Sequence, residues 1–312
     1  MENLIISINC VAPIFLYMLA GYYANSRKFV PTEVFPQISR LAFSVLLPWT
    51  LFNNIYSADL GSAFSAPLLA YLLAANILVF ILGTLILFRL EPDRRRRGLY
   101  IQNLYRSNIA IIGISLAQPL MDAAGIASMS IVVTVLVPLY NALAIIALEL
   151  CRGGQISVKK LLVNMAKNPL IRGALAGIFC VVLGIRLPSA VESAVSGLAK
   201  AGSVMTLVAL GATFQFSTLR KNALLLTKLT LVRLVGIPAL LVTSAALLGF
   251  RGSDLAIITI CTASPIASST YPMALVYDSD HDLTGQLVIT TSLFCCFTLF
   301  LWIFLCKQLG LF

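Results

Sequence analysis

The chain has 312 residues, 59% hydrophobic and only 11% charged, with a mean hydropathy of +0.95. A soluble domain is usually about a quarter charged, so this composition excludes an ordinary soluble fold and points to a polytopic membrane protein. The net charge of +10 would suggest nucleic acid in a soluble chain; here the cations sit in loops between apolar runs, so no nucleic-acid partner is expected and the charges read as topology signals.

A bilayer-spanning helix needs about 20 mostly apolar residues, which gives room for roughly ten spans with short loops. The apolar runs are long and lack the strict alternation of barrel strands. The start, Met1 to Leu4, has an acidic residue and no basic stretch, so the first run is expected to stay as a helix rather than be cleaved. Spans 1 to 5 are expected at about 4–24, 36–57, 65–89, 99–121 and 127–150. A longer loop at 151–168 follows, then spans 6 to 10 at about 169–186, 193–216, 225–249, 254–276 and 283–307.

Arg27 and Lys28 follow span 1, Arg94, Arg95, Arg96 and Arg97 follow span 3, Arg152, Lys159, Lys160 and Lys167 follow span 5, and Arg220 and Lys221 follow span 7. Loops after even spans carry far fewer cations, so the odd loops are expected in the cytoplasm and both termini outside. Five spans per half is an odd number, so two related halves insert with opposite orientation. The expected layout is a first five-helix repeat at 1–150, a cytoplasmic linker at 151–168 and a second, inverted repeat at 169–312. The fold class is thus an all-α membrane protein of ten transmembrane helices in a 5+5 inverted repeat.

Spans 4 and 9 are the polar, interrupted ones. "YRSNIAIIGIS" carries Arg106, Ser107, Asn108 and Gly113, with Gln118 and Pro119 beyond; "CTASPIASSTYPM" carries Ser264, Pro265, Ser268, Ser269, Thr270 and Pro272. Breaks at matching places of two halves point to a transporter's binding site. Gly113, Pro119, Pro265 and Pro272 are expected to weaken the helices, freeing backbone groups that need partners, ligand or water. Half-helix N-termini facing a cavity favour an anion.

Arg106 suits a substrate carboxylate through its bidentate guanidinium, or else snorkels to the nearby cytoplasmic interface. Asn108 in mid-span suits substrate binding and a helix cap, against a role as interhelical glue. Asn141 in span 5 is weighed the same way. Pro48 and Thr50 in span 2, with Gly211 and Thr213 in span 7, are candidates for the wall facing the breaks. Arg233 in span 8 is expected to snorkel, Glu149 to pair with Arg152, and Asp282 to cap span 10. The seven cysteines lack metal-ligand spacing and read as small core residues. No metal, no cofactor and no catalytic constellation is expected: there is no activated nucleophile motif, and the single histidine, His281, lies in a loop.

"FVPTEVFPQISRLAFSVLLPWTLF", "LYRSNIAIIGISLA", "VPLYNALAIIALE" and "LVALGATF" resemble the auxin efflux carrier family, which includes bacterial permeases. The resemblance covers most of the chain. It implies that helices 4 and 9 are broken and cross each other, as in bile acid/sodium symporters, and that the substrate is a small organic anion: a mono- or dicarboxylate such as malate or malonate, or auxin. The chain departs from the family where Ser115 and Val204 replace frequent prolines and Ser269 a frequent asparagine. The expected function is a secondary carrier working by alternating access, not an enzyme, in a lipid bilayer that is expected to be a bacterial inner membrane. Coupling to a proton or to sodium is left open, as is pairing into a homodimer by analogy. The alternative is a sodium-coupled organic anion symporter. A cation antiporter needs buried acidic residues, and the middles of these spans hold none.

Overall fold

The computed structural model describes residues 2–57, 65–152, 163, 165–214 and 221–312, without the side chains of 2–11, 111, 114, 115, 118 and 119. The expectations for Cys10, Ser115, Gln118 and Pro119 therefore lie outside the described side chains. Among the described residues every regular element is helical. The helices are α1 (Glu2–Ser26), α2 (Val34–Leu41), α3 (Leu47–Tyr56), α4 (Ala66–Leu90), α5 (Arg94–Tyr105), α6 (Ile109–Leu120) and α7 (Ala123–Cys151). They continue with α8 (Pro169–Val182), α9 (Ser189–Ala212), α10 (Ala223–Leu231), α11 (Ile237–Leu247), α12 (Gly252–Ala263), α13 (Thr270–Val276) and α14 (His281–Gln308).

Among the described residues, five stretches are long and apolar enough to cross a bilayer by length and composition: Ala66–Leu90, Ala123–Cys151, Ser189–Ala212, Ala223–Leu247 and His281–Gln308. The burial pattern is that of a membrane protein. Leu78, Ile81, Leu82, Leu85 and Ile86 on α4, and Phe294, Phe297, Leu301 and Phe304 on α14, face outward. Gln102, Asn103, Arg106, Asn108, Asn141 and Arg233 are buried. In water this would be inside out; in lipid it satisfies polar groups within the protein.

Two π turns interrupt long helices, Ala42–Leu46 between α2 and α3 and Val232–Gly236 between α10 and α11. Each precedes a proline, Pro48 or Pro238, by a residue or two. Proline has no N–H and its ring crowds the carbonyl four residues back, so the helix widens there. The N–H of Leu47 accordingly reaches back five residues to Ala42, and that of Ile237 to Val232. Pro238 leaves the carbonyl of Leu234 without its helical donor. The indole N–H of Trp302 on α14 donates to it at 3.0 Å.

The helices pack as two groups, joined by α1, which also packs along α14. In one, α1 lies along α9, and α3 lies along both α8 and α9. Small residues allow this: a Cβ added to Gly21 would sit 1.9 Å from the carbonyl oxygen of Val208, and one added to Gly211 would sit 1.9 Å from that of Met18. In the other, α5 and α6 pack on α7, α4 on α5, α11 on α12, and α10, α12 and α13 on α14. Each bundle draws helices from both halves of the chain. At the end carrying Arg94, Arg95, Arg96 and Arg97, the turn between α13 and α14 is tied to α5: the N–H of Asp280 donates to the carbonyl of Arg95 at 3.1 Å, and Arg96 pairs with the Asp280 carboxylate at 3.1 Å. Asp280, not Asp282, caps α14, accepting from the N–H of Leu283 at 3.0 Å; the helix begins two residues earlier than the expected cap requires. Glu149 and Arg152 pair at 3.9 Å as expected.

Candidate functional site

Both expected breaks exist, and they meet. α5 ends at Tyr105 and α6 begins at Ile109, so the first break is Arg106, Ser107 and Asn108. α12 ends at Ala263 and α13 begins at Thr270, leaving Ser264 to Ser269 non-helical. The N–H of Asn108 donates to the carbonyl of Pro265 at 2.9 Å, which joins the two interruptions through main chain. Gly113 is not part of the break: α6 runs through it, and a Cβ there would meet the Met129 methyl at 2.3 Å, so its role is close packing of α6 on α7. Pro272 likewise lies in the first turn of α13, where a missing N–H costs nothing.

Arg106 does not snorkel. It is 1% exposed and donates to the Gln102 amide oxygen at 2.6 Å, the Met273 sulfur at 2.9 Å, the Asn141 amide oxygen at 2.7 Å and the Ser269 hydroxyl at 2.8 Å. All four partners are neutral, so hydrogen bonds hold a full positive charge with no carboxylate against it. Asn141 is held from both ends, its amide nitrogen also donating to the carbonyl of Val137 at 2.8 Å. Ser269 accepts from Arg106, so its own O–H is left to donate elsewhere.

A cavity of about 50 Å³ lies in front of this group, between the two bundles. Asn108, Asn141, Ser268 and Ser269 form its crossover side; Leu47, Thr50, Leu51 and Asn54 of α3, Leu170 of α8 and Ser203 of α9 form the facing wall. No lining residue is acidic. The Asn108 amide nitrogen is buried without a hydrogen-bond partner, as are the hydroxyls of Ser107 and Thr270. A buried donor left unmade is costly, which marks Asn108 as a group awaiting a partner. Thr50 lines the wall while donating to the carbonyl of Ala199 at 2.9 Å. Pro48 lies against α8 instead, its carbonyl oxygen 2.3 Å from where a Cβ on Gly173 would sit. Gly211 faces α1, and Thr213 shares a 2.7 Å hydrogen bond with the Tyr271 hydroxyl.

Ser264 and Pro265 contribute backbone rather than side chain. The Ser264 carbonyl accepts twice from Arg233, at 2.8 and 3.1 Å, and the Leu104 carbonyl accepts a third bond at 3.2 Å. Arg233 is 1% exposed, so the snorkelling expected of it is overturned: helix-end carbonyls serve it in place of water. Asn54 and Ser203 were absent from the sequence expectations. Asn54 follows Thr50 by four residues, one turn along the same face, and that spacing was the available signal.

A family model described as "Membrane transport protein" matches residues 6–153 and 155–303. The chain belongs to this auxin efflux carrier-type membrane transport family. The membrane transport protein is also similar to an "Uncharacterized transporter" of Methanothermobacter thermautotrophicus, 21% identical over 304 residues, covering 95% of this chain and 97% of that one. As an integral, multi-pass member of such a family it acts on a small molecule in a membrane. Its buried crossover lines one of the cavities between its two bundles.

Proposed function

We propose that the protein is a secondary carrier of a small organic anion, a mono- or dicarboxylate, by alternating access. The carrying observation is the Arg106 guanidinium, buried with only neutral acceptors beside the unpartnered Asn108 amide. An anion supplies what that arrangement lacks. The N-terminus of α6, which Asn108 opens, adds the positive end of a helix dipole on the same side. A carboxylate accepts from Asn108 and Ser269 at the cavity and sits in the field of Arg106 one layer behind.

In this reading the chain is ten spans in a 5+5 inverted repeat, with the interruptions in spans 4 and 9 at matching places. The basic end lies in the cytoplasm and both termini outside, in a bacterial inner membrane. The bundle of α1, α3, α8 and α9 is the frame; the bundle holding both interruptions moves against it. At the basic end the bundles are bridged by Asn168, which donates to the Tyr277 hydroxyl at 3.0 Å, and by the edge-on Phe43–Tyr277 ring pair at 6.5 Å. In this reading those contacts help to close that side.

Counterflow in proteoliposomes tests this, with a panel of labelled mono- and dicarboxylates. Exchange of at least one carboxylate, reduced in Asn108→Ala while the protein remains monodisperse, is the expected result. Exchange of neutral or cationic solutes alone overturns the reading.

A further inference from the structure

Four half-helix ends meet at the crossover, and two of them are negative. α5 and α12 each finish there with carbonyls that have no intrahelical donor. Interrupted carriers use such carbonyl ends to hold a free monovalent cation. In this chain the oxygens are already occupied. Arg233 takes the Ser264 carbonyl through Nε and Nη2, at 3.1 and 2.8 Å, and the Leu104 carbonyl through Nη1 at 3.2 Å. One guanidinium thus spans the last turns of both helices. Its reach is built in: it projects from the π turn that precedes Pro238, and Trp302 fixes that turn by donating to the Leu234 carbonyl at 3.0 Å. Among the described residues no ion pair includes Arg233, and no group of acidic, histidine or cysteine side chains is placed to hold a metal.

We propose that Arg233 is a tethered cation: it stands where a free coupling ion would sit between the two negative ends, so the crossover is complete without sodium. The consequence for coupling rests on the carrier reading given above, but the assignment of Arg233 does not. Arg106 and Arg233 then divide the work. Arg233 neutralises the carbonyl side permanently, and Arg106, with no such neutraliser, leaves the amide side in want of an anion.

The test needs no substrate, so its failure is distinct from failure of the carboxylate reading. Thermal unfolding of the purified protein is followed in sodium, potassium and choline chloride at equal ionic strength, with and without millimolar guanidinium. The wild type is expected to melt at one temperature in all three salts. Arg233→Ala is expected to melt lower and to recover part of the loss with guanidinium or a small monovalent cation; Arg233→Lys is expected to fall between. A sodium-specific rise in the wild-type melting temperature overturns the proposal. So does an Arg233→Ala protein whose response to guanidinium and sodium matches the wild type. Should the alanine variant not fold, the wild-type salt series and the guanidinium response of Arg233→Lys still decide, since a sodium-dependent wild type or a fully stable lysine variant would each overturn the assignment.

Discussion

The main-chain N–H of Asn108 and the carbonyl of Pro265 lie 2.9 Å apart, a hydrogen bond between residues 157 positions distant in sequence, counting 265 minus 108. That bond occupies the backbone of Asn108 and leaves its side chain free. The amide nitrogen is buried with no partner. The residue therefore does structural work through its main chain and is available for ligand work through its side chain, and the two can be separated by mutation.

Asn108→Ala is expected to leave the melting temperature nearly unchanged and to weaken substrate binding by about 1–3 kcal/mol, roughly 5- to 150-fold. Asn108→Asp is expected to do worse, since it replaces a donor with a second negative charge beside the substrate. Counterflow rates set against melting temperatures in the same detergent check both.

Arg106→Lys keeps the charge but loses the fork that reaches Gln102, Asn141 and Ser269 together. Transport is expected to fall at least about tenfold. Arg106→Gln removes the charge and is expected to abolish carboxylate binding. Dissociation constants by scintillation proximity distinguish the two.

Gly211→Ala brings a Cβ within 1.9 Å of the Met18 carbonyl oxygen, and neither backbone is a flexible group that can turn aside. A loss of about 1–3 kcal/mol is expected, read as a lower melting temperature and a poorer monodisperse yield. Gly197→Ala on the same helix meets nothing within 4 Å and serves as the harmless control.

Tyr277→Phe removes the hydroxyl that accepts from Asn168, one of the ties between the bundles at the basic end. A bond of about 1 kcal/mol held in one state alone shifts the population roughly fivefold toward opening at that end. Thiol labelling of a Leu170→Cys reporter in the cavity wall, with reagent applied from the basic side, is expected to speed up by that factor. Asn168→Ala is expected to give the same acceleration, and the double variant no more than either.

Much of the helical layout was legible because lipid imposes it. Apolar runs at 65–89, 127–150 and 283–307 coincide closely with α4, α7 and α14, since a span must be long, apolar and internally hydrogen-bonded. The polar runs in spans 4 and 9 marked the interruptions for the same reason. What the sequence did not carry was depth and direction. Gly113 read as a weak point because glycine favours breaks, but Met129 fills the space beside it and the helix continues. Arg233 read as a residue near an interface because its distance from the helix end was counted along the chain. Its real partners, the carbonyls of Leu104 and Ser264, lie at helix ends remote in sequence, and backbone acceptors leave no signature in residue type.

The glycine seam between α1 and α9 has a mechanical meaning. Where Gly21 faces Val208 and Gly211 faces Met18, backbone rests on backbone, with no layer of side chains between them to re-pack. A sliding surface needs interchangeable rotamers, and this one has none, so the pair behaves as a single beam. Any shape change in the protein is taken up elsewhere, and the hydroxyl and aromatic contacts of Tyr271 and Tyr277 are ones that can be broken and remade one at a time.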